Sequence, residues 1–546
     1  MTTILSIALA LAVGSHPIET MEPLPDNCLL IAGTNDIHGH LEPHKVYRGE
    51  TYVEVGGLGA MSAYIESLRR WSKGRLALFD GGDAYHGTYE SNAAHGRDII
   101  KLMNLMGYNA MALGNHEFDF GATATSPDDP RGHLKERLSE ASFPILSANI
   151  KRTDNADLEW ENLSAHTTLK IGSFKVGVIG ISTVETVYTT HPRNVVGLQF
   201  QDPQQSIIDT SQKLRAEGVD LVVMASHVGG KCTEINDPRD ISSCDTSEEL
   251  TQLLQSLPKG TVDVALGGHT HQVLAHYFND VATIESGSYA RNLSLVRACK
   301  LEDGIKTTIL PPLPLCLTTF ADGTCTSKGP ESPIRTRYFL GERLSTPKEV
   351  QDVISEALLR ASTLSKQLMG INLITPLKRL PPDESPLGQT IASAILRSSN
   401  AEIAIQNRGG VRSDLPRGPI NHRQLYTVLP FANRITLLKI PASDLLIMLE
   451  HMAQRRSNLL PYLAGYEIKR VNGQLQILDE SGTQISGKRV LSVAVNDYLA
   501  AGGENLGEFF SKRPFIEQQE TSVLLFDAVA AYLRELSPTT LSRSAP

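Results

Sequence analysis

The sequence predicts an α/β protein built from two domains, and three observations carry that prediction. A chain of 546 residues exceeds what one hydrophobic core organises, so two or three domains are expected. From residue 29 to about residue 301, short apolar runs alternate with longer mixed segments, the pattern of buried strands separated by helices. Five of the six predicted strands in that stretch end directly in Asp, Asn or His. In α/β sheets the carboxyl ends of strands are where ligands gather.

In chain order, the apolar run at 4–13 is too short to cross a bilayer and has the length of the apolar part of a secretory signal. No Lys or Arg precedes it, yet a cleaved signal over 1–20 and an extracytoplasmic, secreted or periplasmic location are expected. No later run has the length of a transmembrane helix, and the polar end at 541–546 argues against a hydrophobic anchor signal.

The predicted strands are 29–32, 76–79, 110–113, 176–181, 221–225 and 262–266. The first is followed by Asn35-Asp36-Ile37-His38, the second by Asp80-Gly81-Gly82-Asp83, and the third by Gly114-Asn115-His116. The fifth runs into Ser226-His227 and the sixth into Gly267-Gly268-His269-Thr270-His271. The fourth ends in Ser182-Thr183 with no such donor, so the pattern is selective. Gly56-Gly57-x-Gly59 reads as the start of a helix over 60–71.

The stretch from Gly114 to Asp119 is the densest in chemistry. Gly114 permits a sharp turn and close approach to a ligand. Asn115 offers a neutral oxygen to a metal. His116 and Asp119, three apart, share one face of a helical turn and can hydrogen-bond.

Asp36, His38, Asp83, Asn115, His227, His269 and His271 together supply seven oxygen and nitrogen donors. That is too many for one four-coordinate ion and suits two divalent ions sharing a carboxylate. Such a pair, about 3.5–4 Å apart, holds a bridging hydroxide and clamps phosphoryl oxygens during in-line displacement. Without a thiolate, Zn, Mn, Fe or Co are the candidates. His40, His44 and His86 lie in the same loops and read as supporting or surface residues.

The set Asp-x-His, Gly-Gly-Asp, Gly-Asn-His-Glu, Ser-His and Gly-Gly-His-x-His resembles the calcineurin-like metallophosphoesterases. The resemblance implies a four-layer α/β/β/α fold. It implies that Asp36, His38 and His271 hold one metal, that Asn115, His227 and His269 hold the second, and that Asp83 bridges them. His116 would then face the substrate phosphate and stabilise charge developing on it. Asp119 would orient that ring and favour its charged form.

Residues 311–341 are rich in Pro, Thr and Gly and read as a boundary. A helix is expected over 346–368, a second after Pro386, strands at 403–405, 426–431 and 491–495, and a final helix near 522–536. The domains follow as 27–340 for the metallophosphoesterase part, 341–368 for a linker helix and 369–546 for a smaller α+β, substrate-binding part.

This second half resembles the C-terminal domain of the 5′-nucleotidase family, which includes ecto-5′-nucleotidase and bacterial UDP-sugar hydrolases. Asn407 and Arg412 match substrate-contacting positions, while Phe431 and Tyr498 match two rings that clamp the base. Aromatic faces stack on any base, so such a clamp adds affinity without fixing base identity. Two positions depart from the pattern: Tyr498 stands where Phe is usual, and Glu504 where Asp is common. A further family arginine has no clear match, although Arg379 is close.

The function so implied is release of phosphate from nucleoside 5′-monophosphates, with di- and triphosphates or UDP-sugars as further candidates. Relatives that cleave 2′,3′-cyclic nucleotides tend to carry Asn where this chain has Asp119, which favours the 5′-nucleotidase. A catalytically silent nucleotide-binding surface protein is the alternative from another class, but such copies lose ligands and none is missing here.

The net charge of −9 argues against a nucleic-acid polymer as partner. The six cysteines suit an oxidising compartment and admit 15 connectivities. Cys232–Cys244 and Cys316–Cys325 are natural local bridges, leaving Cys28 for Cys299.

Overall fold

The computed structural model describes residues 17–20, 22–380, 385–454, 459–479 and 481–537, and every count below is of these residues. The apolar run at 4–13 and the polar end at 541–546 lie outside them. Pro17–Thr20 forms a short 3-10 turn whose Ile18 is fully buried in the first domain's core. The packed structure therefore takes in part of the stretch expected as signal over 1–20.

Two sheets pack face to face in the first domain. In the seven-stranded sheet, Cys28–Thr34 lies between Asn292–Leu301 and Leu76–Asp80, and the order continues through Ala110–Ala112. Its strands Cys28–Thr34, Leu76–Asp80 and Ala110–Ala112 run parallel. The six-stranded sheet contains Phe174–Ser182, Leu221–His227, Val264–Leu266 and Val281–Ser286, also parallel. Between the sheets, Leu29, Ile31, Ala77 and Phe79 meet Val176, Val178, Val223 and Leu266.

Helices cover both outer faces. Leu58–Trp71 and Arg97–Met106 bury Met61, Tyr64, Ile99 and Met103 on one side. Pro203–Ala216 and Glu249–Ser256 bury Ile207, Leu214, Leu250 and Leu254 on the other. The result is a four-layer α/β/β/α domain. Strands covered on both faces read as unbroken apolar runs, which is why the sequence showed them so plainly.

The three disulfides are Cys28–Cys299, Cys232–Cys244 and Cys316–Cys325, as expected. The first joins register partners on adjacent antiparallel strands. The boundary region at 311–341 is folded onto the first domain. Cys316, Phe320 and Cys325 form a small core with Val53 and Val55, and the Arg48 guanidinium donates to Asp322 Oδ2 at 2.8 Å.

The expected helix at 346–368 is Lys348–Ser365. Its Val350, Val353, Ile354 and Ala357 pack into the first domain's core, and Arg360 pairs with Asp98. The chain then forms the strand Leu368–Leu373, antiparallel to Gly418–Asn421.

The second half is organised on a five-stranded sheet in the order Tyr462–Gly465, Ile403–Gln406, Val490–Asn496, Arg434–Pro441, Glu517–Leu524. Pro386–Ser399 and Leu525–Leu536 cover one face, and Ala442–Gln454 the other. The final helix begins at Leu525, because residues up to Leu524 continue the edge strand.

One expected strand is absent. The run at 426–431 is the end of the helix His422–Val428 and the turn after it. The Asn421 side chain accepts from the Gln424 N–H at 2.9 Å, and Gln424 Oε1 accepts from the Asn421 N–H at 2.8 Å. This capping box starts a helix where local β-propensity alone suggested a strand. Replacing Asn421 by Ala is expected to cost about 1 kcal/mol. Urea unfolding should show a lower midpoint; an unchanged midpoint would mean the cap contributes nothing.

Candidate active site

The strand ends deliver their side chains to one space. Asp36 and His38 follow Cys28–Thr34, Asp83 follows Leu76–Asp80, and Asn115 and His116 follow Ala110–Ala112. His227 closes Leu221–His227, while His269 and His271 follow Val264–Leu266. Asp36, His38, Asp83, His269 and His271 have φ of 50°, 48°, 58°, 74° and 58°. Left-handed backbone is uncommon for residues with a Cβ, costs about 1–3 kcal/mol each and clusters at functional sites.

Gly114 is needed for close approach, since a Cβ there would fall 2.4 Å from Asp83 Oδ1. Its φ is not positive, so the sharp turn expected of it is not what selects glycine. Glu117 fixes the two loops against each other. Its carboxylate accepts the N–H groups of Gly114 and Asp83 at 2.8 Å and of Ala84 at 2.9 Å.

Hydrogen bonds decide which ring nitrogens are left as lone pairs. His38 Nδ1 lies 2.8 Å from the His86 carbonyl oxygen and donates to it. This leaves Nε2 facing His271 Nε2 at 3.0 Å and Asp36 Oδ1 at 3.6 Å. Asp36 Oδ1 is 3.2 Å from His271 Nε2, and this buried oxygen has no hydrogen-bond partner. Burial holds the His271 ring down at about 4 and lowers His38 as well, so both are lone-pair donors at neutral pH. Three electron-pair donors converging without a proton between them is the arrangement a cation satisfies.

A second convergence lies alongside. His227 Nδ1 donates to the Gly81 carbonyl at 2.8 Å, turning Nε2 toward Asn115 Oδ1 at 3.0 Å and Asp83 Oδ2 at 3.1 Å. His269 Nε2 faces Glu185 Oε2 at 3.2 Å, which turns Nδ1 toward the same Asn115 oxygen at 3.0 Å. Asp83 Oδ2 is also 3.7 Å from His38 Nε2, so its carboxylate lies between the two groups. Burial alone would lower His227, but the Asp83 carboxylate, with Asp36 and Glu117 adding to it, outweighs that and lifts the ring to about 10. A place that attracts a proton so strongly also attracts a metal, which displaces that proton on binding. The donors are all oxygen and nitrogen, so they fit two divalent ions of borderline hardness.

His116 stands beside these groups. Its Nδ1 is 2.5 Å from Asp119 Oδ2, and its Nε2 is 4.0 Å from Asp83 Oδ2. Asp119 Oδ1 accepts from the Thr190 hydroxyl at 2.5 Å, and His86 Nδ1 lies 3.2 Å from Oδ2. Burial would raise the Asp119 carboxyl, but the His116 and His86 rings outweigh it and hold it below its ordinary value.

Both domains line one cavity of about 610 Å³. The first domain presents Asp83, Asn115, His116, Asp119, His269 and His271; the second presents Asn407, Arg412, Phe431, Tyr498 and Glu504. Asp36, His38 and His227 are almost fully buried beneath the first wall. The Phe431 ring stacks on His86 at 5.3 Å and on His116 at 5.8 Å. Arg412 Nη2 reaches 3.5 Å from His38 Nε2. The Tyr498 hydroxyl donates to the Tyr188 carbonyl of the first domain and accepts from the Glu504 N–H at 2.9 Å. Asn407 Nδ2 donates to Glu504 Oε1 at 3.2 Å.

Sequence reasoning passed over Glu117, Glu185, Thr190 and Tyr289. Glu117 lies within the Gly-Asn-His-Glu motif, but its burial and its three backbone donors are seen only in the fold. Glu185 and Thr190 come from the segment after the fourth strand, the one whose end carries no donor, and nothing in their sequence marks them. His86, read as supporting or surface, is buried against the Asp119 carboxylate. Arg379 lines the cavity near Arg412, whose carbonyl it reaches at 3.3 Å.

Comparison with known proteins agrees with this geometry. The calcineurin-like phosphoesterase family matches residues 29–273, and the 5′-nucleotidase C-terminal domain matches residues 370–512. A snake venom 5′-nucleotidase from Naja atra is 29% identical over 499 residues, covering 86% of this chain and 84% of that protein. A 5′-nucleotidase of Vibrio vulnificus is 25% identical over 586 residues, covering 100% of this chain and 97% of that protein. A Thermus thermophilus 5′-nucleotidase precursor shares the fold, with a TM-score of 0.74 at 23% identity over 93% of this chain and 97% of that chain. With both halves matched in the same order along relatives of comparable length, the chain belongs to the 5′-nucleotidase family, a calcineurin-like phosphoesterase domain followed by the family's C-terminal domain.

Proposed function

We propose that this protein hydrolyses nucleoside 5′-monophosphates outside the cytoplasm, using two divalent ions. Asp36, His38 and His271 would hold one ion, Asn115, His227 and His269 would hold the other, and Asp83 would be shared. When bound, the ions supply an activated water and neutralise charge on the phosphoryl oxygens. The observation that carries the reading is the single cavity of about 610 Å³ with the donor groups on one wall and Asn407, Arg412, Phe431, Tyr498 and Glu504 on the other.

The chain's own residues divide the remaining work. The Asp119 carboxylate orients His116, whose Nε2 faces the phosphate position and stabilises the charge that develops there. Arg412 neutralises the phosphate from the second domain. The Asn407–Glu504 pair, linked at 3.2 Å, presents hydrogen-bonding groups to a ribose, and Phe431 offers a face to the base. Three disulfides support an oxidising, extracytoplasmic location.

The test is a parallel assay of AMP, ADP, ATP, UDP-glucose, 2′,3′-cyclic AMP and bis(p-nitrophenyl) phosphate. AMP turnover abolished by a chelator and restored by Zn, Mn, Co or Fe supports the proposal; a preference for the cyclic nucleotide or the diester overturns it. Phe431→Ala is expected to raise KM for AMP about 10-fold, the loss of roughly one stacking contact, while sparing p-nitrophenyl phosphate. Equal damage to both substrates would remove the base-stacking role.

A further inference from the structure

Beside the main cavity lies a smaller one of about 130 Å³, reached past residues that line both: His86, Tyr289, Arg412 and Phe431. Its other walls include His38, His40, His44 and Arg291, and no Asp or Glu among the described residues lines it. Arg291 and Arg412 have no ion pair with a carboxylate among the described residues; Arg291 lies over the Tyr289 ring at 5.1 Å, and Arg412 over Phe431 at 5.8 Å. His44 contributes a buried Nε2 without a hydrogen-bond partner. The ring of His40 packs between His44 at 4.9 Å and Tyr289 at 4.2 Å, closing the wall.

Two guanidinium groups that no carboxylate among the described residues faces make a pocket that attracts anions. The volume leaves room for one tetrahedral oxyanion or a few waters, and not for a nucleoside. We infer that this pocket is a second phosphate subsite beside the position between the paired metal ligands, with Arg291 on its far side and Arg412, which lines both cavities, shared between the two. It takes a phosphate group that is not being cleaved: either the second phosphoryl group of a nucleoside polyphosphate or the inorganic phosphate leaving the reaction. The inference rests on the proposed phosphohydrolase activity for its substrate but not for its ligand chemistry.

Arg291→Gln and the double variant Arg291→Gln/His44→Gln test it, with thermal unfolding confirming that each is folded. For AMP measured at low phosphate, kcat/KM should stay within about twofold of the parent. Losing a charge-assisted contact should change the affected quantity by about 10-fold. If the subsite takes the second phosphoryl group, kcat/KM for ADP falls by that factor relative to AMP. If it takes the released product, the inhibition constant for inorganic phosphate rises instead. Should the parent fail to turn over AMP, calorimetric titration of parent and variants with inorganic phosphate still decides, because the subsite predicts weaker binding in both variants. Unchanged ADP selectivity together with unchanged phosphate inhibition or binding in the double variant overturns the subsite.

Discussion

Replacing His116 by Ala is expected to lower turnover of AMP by a factor on the order of 10²–10⁴ while both metal sites keep their ions. The geometry separates these two effects. His116 Nε2 is 4.0 Å from Asp83 Oδ2, whereas His227 Nε2 is 3.1 Å from it and His38 Nε2 is 3.7 Å from it. The ring's other nitrogen is committed to Asp119 at 2.5 Å. It is therefore placed to meet a phosphate and not to complete either donor group. Elemental analysis of the purified variant, set beside single-turnover kinetics, reads both quantities at once. Metal lost in proportion to activity would make His116 a ligand and remove its assigned role. A weaker loss in Asp119→Asn, with KM nearly unchanged, would mark Asp119 as the residue that orients the ring.

Replacing Asp83 by Asn is also expected to lower turnover, by about 10³-fold, the upper end of the 10²–10³ that removing one electrostatic group from a reaction centre costs. Asp83 is the carboxylate that stands between the donor groups, and it is the main group raising His227 against burial. Burial would raise the Asp83 carboxyl, but His227, His116 and His38 together hold it well below its ordinary value, so it is ionised across the physiological range. The neutral amide removes that charge from both sites. Metal content should fall below two ions per chain, the reverse of the His116 variant. An Asp83→Asn enzyme with two ions and near-parent turnover would refute the shared-carboxylate arrangement.

The two variants also show how much of the site could be read before the structure. The seven donors were visible because each follows an apolar strand, and parallel strands buried on both faces leave an unambiguous apolar signal. The structure brings all seven together with His116 and Asp119 at one edge of the sandwich. The second domain was harder to read. The run at 426–431 looked like a strand by composition, and only the reciprocal Asn421–Gln424 hydrogen bonds made its start helical. The region at 311–341 reads as a boundary from its Pro, Thr and Gly content, and a disulfide and the Arg48–Asp322 pair fold it onto the first domain, within the expected bounds of 27–340.

What the sequence determined by itself is therefore local: the apolar strands of the first domain, the donors at their ends, and the His116–Asp119 spacing that places both on one helical turn. These follow from periodicity and residue chemistry within short windows. Tertiary structure decided which ring nitrogens face inward, through backbone carbonyls at Gly81 and His86 and the Glu185 carboxylate. It also decided that His86 and Thr190 share the Asp119 carboxylate, that Phe431 lies on the His86 and His116 rings, and that Arg291 and Arg412 border a pocket with no carboxylate among the described residues. Such contacts join residues tens to hundreds of positions apart. Their energies depend on distance and burial in the folded chain, and no periodicity in the sequence encodes either.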